Sequence, residues 1–454
     1  MLQHYDRCQH LFQLLGRDRQ SGLDVVGRGR IPRLAAVVLV ELLFVVALLG
    51  VYQAQRMPLT PSHSPDLKVN WNLFTETWRN VSFATNLPKV WPALLGISWL
   101  WFVGATYLTQ FPLLSKTLLN ASPGVATVLL FAFTVGLGIG AFLCEKWSRK
   151  RIEMGLVLWG LLVMILAGVL LHGVLVAYQT NPDQQTVVEF FSQLNNLAVL
   201  GLFVLISVGV GLYSVPLYAT MQAFAPKESR SRVVSANNII NSFFMVVSAG
   251  FAIAILLAMK GQVMWVFSAV TAINLLVLAL WVFKQPYVVL RAQLLFKVPG
   301  RHLPHIENLD HLGEDGGKLI VFPTLLHDNF LQRMAALPME MTAVLSGRLK
   351  PSRFANRLRK HGFILEFNKL SEIDTQKELI KAIASHIQQG RSIAIDKPMF
   401  ELLRKQYRLD DMPGVLAKKG VTMNVLEFSE ESHPKNLSNQ EISQTVWRLT
   451  KKIG

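Results

Sequence analysis

Apolar residues in the first 290 positions come in long unbroken runs, not in the helical stripes or strict alternation of a soluble chain. A bilayer core of ~30 Å takes roughly 20 apolar residues in a helix. Seven runs of that size are present, at 34–53, 91–111, 125–144, 154–178, 197–220, 235–259 and 262–283. Charge or turn formers such as Pro123-Gly124 and Pro226-Lys227-Glu228 bound them. Helix is the only structure that satisfies the backbone of such runs in lipid. Glycines recur inside them, as at Gly136, Gly138 and Gly140, where helices are expected to approach closely. Beyond Arg291 the pattern shortens to strand-like runs at 318–322, 363–367 and 392–395, alternating with amphipathic stretches near 327–337, 376–388 and 398–408. The pattern predicts a membrane all-α part of about seven transmembrane helices followed by a small α/β domain. The expected boundaries are 1–33 for a polar, basic amino terminus, 34–290 for the transmembrane part and 291–454 for the α/β domain.

Composition agrees: 51% of residues are hydrophobic and 16% charged, too apolar for an ordinary soluble enzyme. The net charge of +16 points to membrane orientation and anionic headgroups, and nucleic acid is not expected as a partner. Lys146, Arg149, Lys150 and Arg151 follow the third run, Lys227, Arg230 and Arg232 the fifth, and Lys284, Arg291 and Lys297 the seventh. The alternate loops offer Lys116 and Lys260. The positive-inside rule therefore places the α/β domain in the cytoplasm. The same rule puts the amino terminus outside, in conflict with Arg7, Arg17, Arg19, Arg28, Arg30 and Arg33 ahead of the first run. No signal peptide is expected, because the first 30 residues are polar and no small-residue cleavage site follows. Cys8 and Cys144 form no ligand cluster, the histidines after Arg291 lack ligand spacing, and neither a metal nor a cofactor is expected.

Polar side chains inside apolar runs are the candidate chemistry. Asn237, Asn238 and Asn241 stand at one edge of a span, and 237 and 241 share a helix face by their i, i+4 spacing. They are either helix–helix hydrogen bonds or contacts to a substrate headgroup, and Ser98, Gln110 and Gln222 carry the same two readings. His172, alone in its span, reads as a packed histidine.

The segment from Gly140 through Glu145, Lys146 and Arg149 to Arg151 resembles the glycine and basic-loop signature of major facilitator transporters. That resemblance implies that these residues latch one conformation of a carrier. The stretches 211–222 and 232–241, with Ala225-Pro226 between them, are similar to the tenth-to-eleventh helix region of the bacterial lysophospholipid transporter family, and 96–106 is similar to its seventh helix. The resemblance spans roughly 65–285. It implies that the runs correspond to helices six to twelve of a twelve-helix carrier in the bacterial inner membrane, with the amino-terminal half absent. The implied partners are lysophospholipid and a second transporter half or a second copy of the chain.

Carriers of this family occur fused to a glycerophospholipid acyltransferase. Residues 298–304, 317–324, 379–383 and 389–398 resemble parts of that domain. Where its catalytic histidine and aspartate are expected, Thr324 and Asn329 stand, the adjacent His327 and Asp328 have the wrong spacing, and the phosphate-binding turn is missing. The expectation is a degenerate acyltransferase-like domain without catalytic residues. Movement or handling of lysophospholipid leads, against a working phospholipid acyltransferase and a non-catalytic membrane scaffold.

Overall fold

The computed structural model describes residues 33–56, 71–148, 151–297, 305–307, 317–323, 325, 334, 337, 341–346, 352–367, 373–388, 392–407, 423–434 and 443–451. Thr324, His327, Asp328, Asn329 and most of the helix expected at 327–337 lie outside these residues. The chain divides into two compact units, Met1–Val69 and Asn70–Gly454. In the first, helix α1 (Arg33–Gln55) presents exposed apolar side chains from Val40 onward, and the Arg56 guanidinium lies 4.5 Å over the Tyr52 ring.

In the second unit, short helix α2 (Leu73–Thr85) is followed by α3 (Val90–Thr117), α4 (Pro123–Ser148), α5 (Gly155–Val176), α6 (Val187–Ser192), α7 (Leu194–Phe224), α8 (Arg230–Ala258), α9 (Met264–Lys284) and α10 (Pro286–Lys297). Among the described residues, α3, α4, α5, α7, α8 and α9 are long and apolar enough to cross a membrane. The apolar stretch Val40–Gln55 of α1, where a seventh span was expected, is shorter than that. The short α6, between α5 and α7, carries a capping box: Thr186 Oγ1 accepts from the Glu189 backbone N–H, and the Glu189 carboxylate accepts from the Thr186 N–H.

Helix α7 is the axis of the bundle because glycines let its backbone touch two neighbours. A Cβ at Gly140 of α4 would lie 2.2 Å from the Val208 carbonyl oxygen, and one at Gly160 of α5 would lie 2.6 Å from that of Gly209. Gly138, expected to serve alike, faces open space. Away from the α10 end, Tyr107, Phe111, Phe133, Phe203 and Phe267 interlock, edge to face except for the stacked Phe111–Phe267 pair, binding α3, α4, α7 and α9 with ring centroids 4.9–6.4 Å apart.

The remaining elements form an α/β layer: β1 (His305–Glu307), β2 (Gly317–Phe322), β3 (Met341–Ser346), α11 (Arg353–Lys360), β4 (Ile364–Phe367), α12 (Ile373–Gln388), β5 (Ser392–Asp396), α13 (Lys397–Tyr407), β6 (Met423–Pro434) and β7 (Ser443–Lys451). The strand order is β1-β7-β6-β2-β5-β3-β4, all neighbours parallel except the β6–β7 pair. Alternation along β2 fills both faces. Leu319 and Val321 pack with Leu379, Ile383 and Phe400 of α12 and α13. Ile320 and Phe322 pack with Leu358 of α11 and with Leu290 and Leu294 of α10. Helix α10 therefore runs through the boundary expected at 290/291 and belongs to both layers, packing against α5 on its other side. Gly155 makes that contact possible, since a Cβ there would lie 2.6 Å from the Ala292 backbone nitrogen.

Candidate functional site

Within the bundle, polar side chains gather where α3, α8 and α9 meet. The Ser98 hydroxyl donates to Asn241 Oδ1 at 2.9 Å, and one turn from Asn241 the Asn237 carbonyl oxygen is buried without a hydrogen-bond partner. On the α9 side, the Trp99 indole N–H donates to Asn274 Oδ1 at 2.9 Å. On another face of α3, Gly96 allows close packing on α7 and α9, where a Cβ would come within 3.0 Å of the Tyr213 hydroxyl and 3.1 Å of the Trp281 ring. Orphaned buried acceptors are rare because each costs its full desolvation energy, which makes the Asn237 oxygen the candidate acceptor of this cluster. No Asp or Glu lies beside these residues in α3, α8 or α9. The cluster offers neutral hydrogen-bonding groups between apolar helices.

The structure thus brings together Ser98, Asn237 and Asn241 of the expected set. Asn238 is exposed on another face of α8, and Gln222 is exposed near the end of α7. Gln110 is buried on α3 with its Oε1 unpartnered, but twelve residues from Ser98, about 18 Å along the helix axis. Sequence reading missed Trp99 and Asn274, although an amide inside an apolar run at Asn274 was the available signal. His172 accepts or donates at 2.7 Å to the Ser268 hydroxyl and packs by Trp265, as a packed histidine does.

At the bundle end that carries α10, Gly140 is buried against α7, Glu145 and Lys146 are exposed at the end of α4, and Arg151 is half-buried in the loop that follows. Arg149 lies outside the described residues. The buried ion pair of this region is a different one. Glu153, in the α4–α5 loop, and Arg291, on α10, have side chains 7% and 4% exposed and face each other bidentately, with Nε to Oε1 at 2.9 Å. Arg291 Nη1 also donates to the carbonyls of Met334 and Leu337 at 3.0 and 2.9 Å. Burial works against the guanidinium charge, and the facing Glu153 carboxylate more than offsets it, holding the Arg291 pKa above its ordinary value. Spacing gave no sign of this pair, because its members stand 138 positions apart among other charges.

Set beside known families, residues 32–249 match the model of the Major Facilitator Superfamily, a match that reaches from the start of α1 into α8. No curated protein and no solved structure matches the chain. The six spans and this domain make it a multi-pass membrane protein of transporter type.

Proposed function

We propose that this chain, whose residues 32–249 form a major facilitator superfamily domain, moves or handles lysophospholipid at a bacterial inner membrane, with residues 291–454 in the cytoplasm. The observation that carries this reading is the orphaned Asn237 carbonyl beside the Ser98–Asn241 pair. A lysophospholipid offers a free glycerol hydroxyl to satisfy that acceptor, and a single acyl chain suited to apolar helix surfaces. For the orientation, Lys146, Arg232 and Lys284 stand at the bundle end that carries the sheet layer, as the positive-inside rule requires of a cytoplasmic face. A reporter at Gly454 that proves accessible from outside overturns that part.

The site is tested by lysophospholipid binding to the full chain in detergent. Asn237→Ala is expected to weaken binding about 5- to 30-fold, the worth of one hydrogen bond of 1–2 kcal/mol in a membrane peptide. Asn238→Ala, on the exposed face, leaves it unchanged. Equal effects of the two substitutions remove the site from consideration.

A further inference from the structure

A cavity lies at the seam between the bundle and the sheet layer, where α5, α9, α10 and α11 converge. Its volume is about 580 Å³, within the ~300–1,000 Å³ range of small-ligand sites. Leu158 and Leu162 of α5 face Leu278 and Val282 of α9 across it. Both helices end at this side of the bundle, so the apolar walls run inward along the spans for about 10 Å. The charged residues of the lining are Arg353 and Arg357, one turn apart on α11. The cations of that helix are sorted. Arg359 is held by Glu366 at 2.9 Å and by Asn356, whereas Arg353 and Arg357 are exposed and have no carboxylate partner among the described residues. Gln293 of α10 also lines the cavity, and its Oε1 is buried without a hydrogen-bond partner. Trp159, half exposed at the rim, donates its indole N–H to the Ala292 carbonyl at 3.3 Å, the placing of an interfacial tryptophan.

Positive charge at the mouth, an unmet acceptor on a lining residue and an apolar trough leading into the bilayer specify an amphiphile with an anionic, hydroxyl-bearing head. We propose that this seam is a binding site for an anionic phospholipid of the adjoining leaflet. Its phosphate sits between Arg353 and Arg357, a headgroup or glycerol hydroxyl donates to Gln293 Oε1, and one acyl chain lies along Leu158, Leu162, Leu278 and Val282. The site is separate from the Ser98–Asn237–Asn241 cluster and stands whatever the bundle carries. Because α10 and α11 both belong to the sheet layer while α5 and α9 are spans, a bound lipid ties that layer to the bundle.

The test uses the full chain in phosphatidylcholine nanodiscs, with brominated phosphatidylglycerol or brominated phosphatidylcholine as quencher, and reads the tryptophan signal removed by Trp159→Phe. Quenching at Trp159 is expected from phosphatidylglycerol at concentrations where phosphatidylcholine gives little. Each juxtamembrane cation contributes about fivefold to such affinity, so Arg353→Gln with Arg357→Gln lowers it about 30-fold. Both positions are exposed, so folding is not at stake. Leu278→Phe, which narrows the trough without adding a tryptophan, is expected to reduce the quenching while leaving the arginines in place. Equal quenching by both lipids, or no response to the double substitution, overturns the proposal. Displacement by inorganic phosphate at concentrations matching the lipid also overturns it, because that marks a site for a free anion.

Discussion

A carboxylate and a guanidinium that are each more than nine-tenths buried have given up most of their hydration, and their mutual attraction must make good that loss. Glu153 and Arg291 meet the condition because two carbonyls use a remaining guanidinium donor. Removing one partner strands the other, so Glu153→Ala is expected to lower stability by about 3–5 kcal/mol, read by denaturation in detergent. Glu153→Leu combined with Arg291→Met recovers much of that loss, since no lone buried charge remains. A single substitution within 1 kcal/mol of wild type shows the pair to be hydrated and the argument misplaced. This scale was the least legible in the sequence. Asn241 and Ser98 both stood out as polar side chains inside apolar runs, but nothing in the sequence paired them across 143 positions. Glu153 sat in a charged loop where nothing distinguished it from Glu145.

Elements were easier to read, because a span declares itself by length alone and a strand or helix with regular burial by its period. Six of the expected runs are helices of spanning character, with ends shifted by up to about two turns as terminal charges were drawn in. Helix α2 escaped notice: Trp71, Phe74 and Trp78 are exposed, an arrangement suited to a bilayer interface and unlike a soluble amphipathic stripe. Helix α11 is short, yet its punctuation was present. Ser352 Oγ accepts from the Ala355 N–H at 3.0 Å. Gly362, at φ 68°, closes the other end, with the Phe363 N–H on the Leu358 carbonyl and its own N–H on that of Arg359. Two predictions belong here. Gly140→Val drives two methyls into the α7 backbone and is expected to cost about 1–3 kcal/mol or more, whereas Gly138→Val, facing open space, costs little. Similar melting temperatures for the two would separate α4 from α7. Between α5 and α7, hydrogen bonds from the Thr186 backbone and then its side chain hold the Glu189 carboxyl below the usual carboxylate range. A depressed acid contributes its stability above the ordinary carboxylate pKa and loses it as pH falls through the lowered value. Acidification below about pH 4 is therefore expected to loosen α6 in the wild type, and Glu189→Gln removes that part of the pH dependence. Hydrogen exchange of the α6 amides checks it.

At the scale of the molecule, the six spans of the second unit form one bundle around α7, with the sheet layer fastened to one end through α10. Alternating access in a major facilitator carrier needs two bundles rocking about a site near the midplane. Among the described residues, one bundle holds the Ser98–Asn237–Asn241 cluster against its own neighbours, and no second bundle stands opposite it to close over a substrate. The tight α4–α7 and α5–α7 contacts resist an opening within the bundle, since backbones already in contact leave no small shift that exposes one side and seals the other. The chain reconstituted at one copy per vesicle is therefore expected to bind lysophospholipid without moving it across the membrane. Two copies per vesicle, or added partner bundle, are expected to restore flux, because a symmetric pair can present the two clusters to a shared cavity. Counting protomers by stepwise photobleaching, vesicle by vesicle, while following a fluorescent lysophospholipid separates the cases. Flux that rises in proportion to protein from the single-copy vesicles onward refutes the requirement for a second bundle, and flux confined to vesicles with two or more copies identifies the working unit as an assembly.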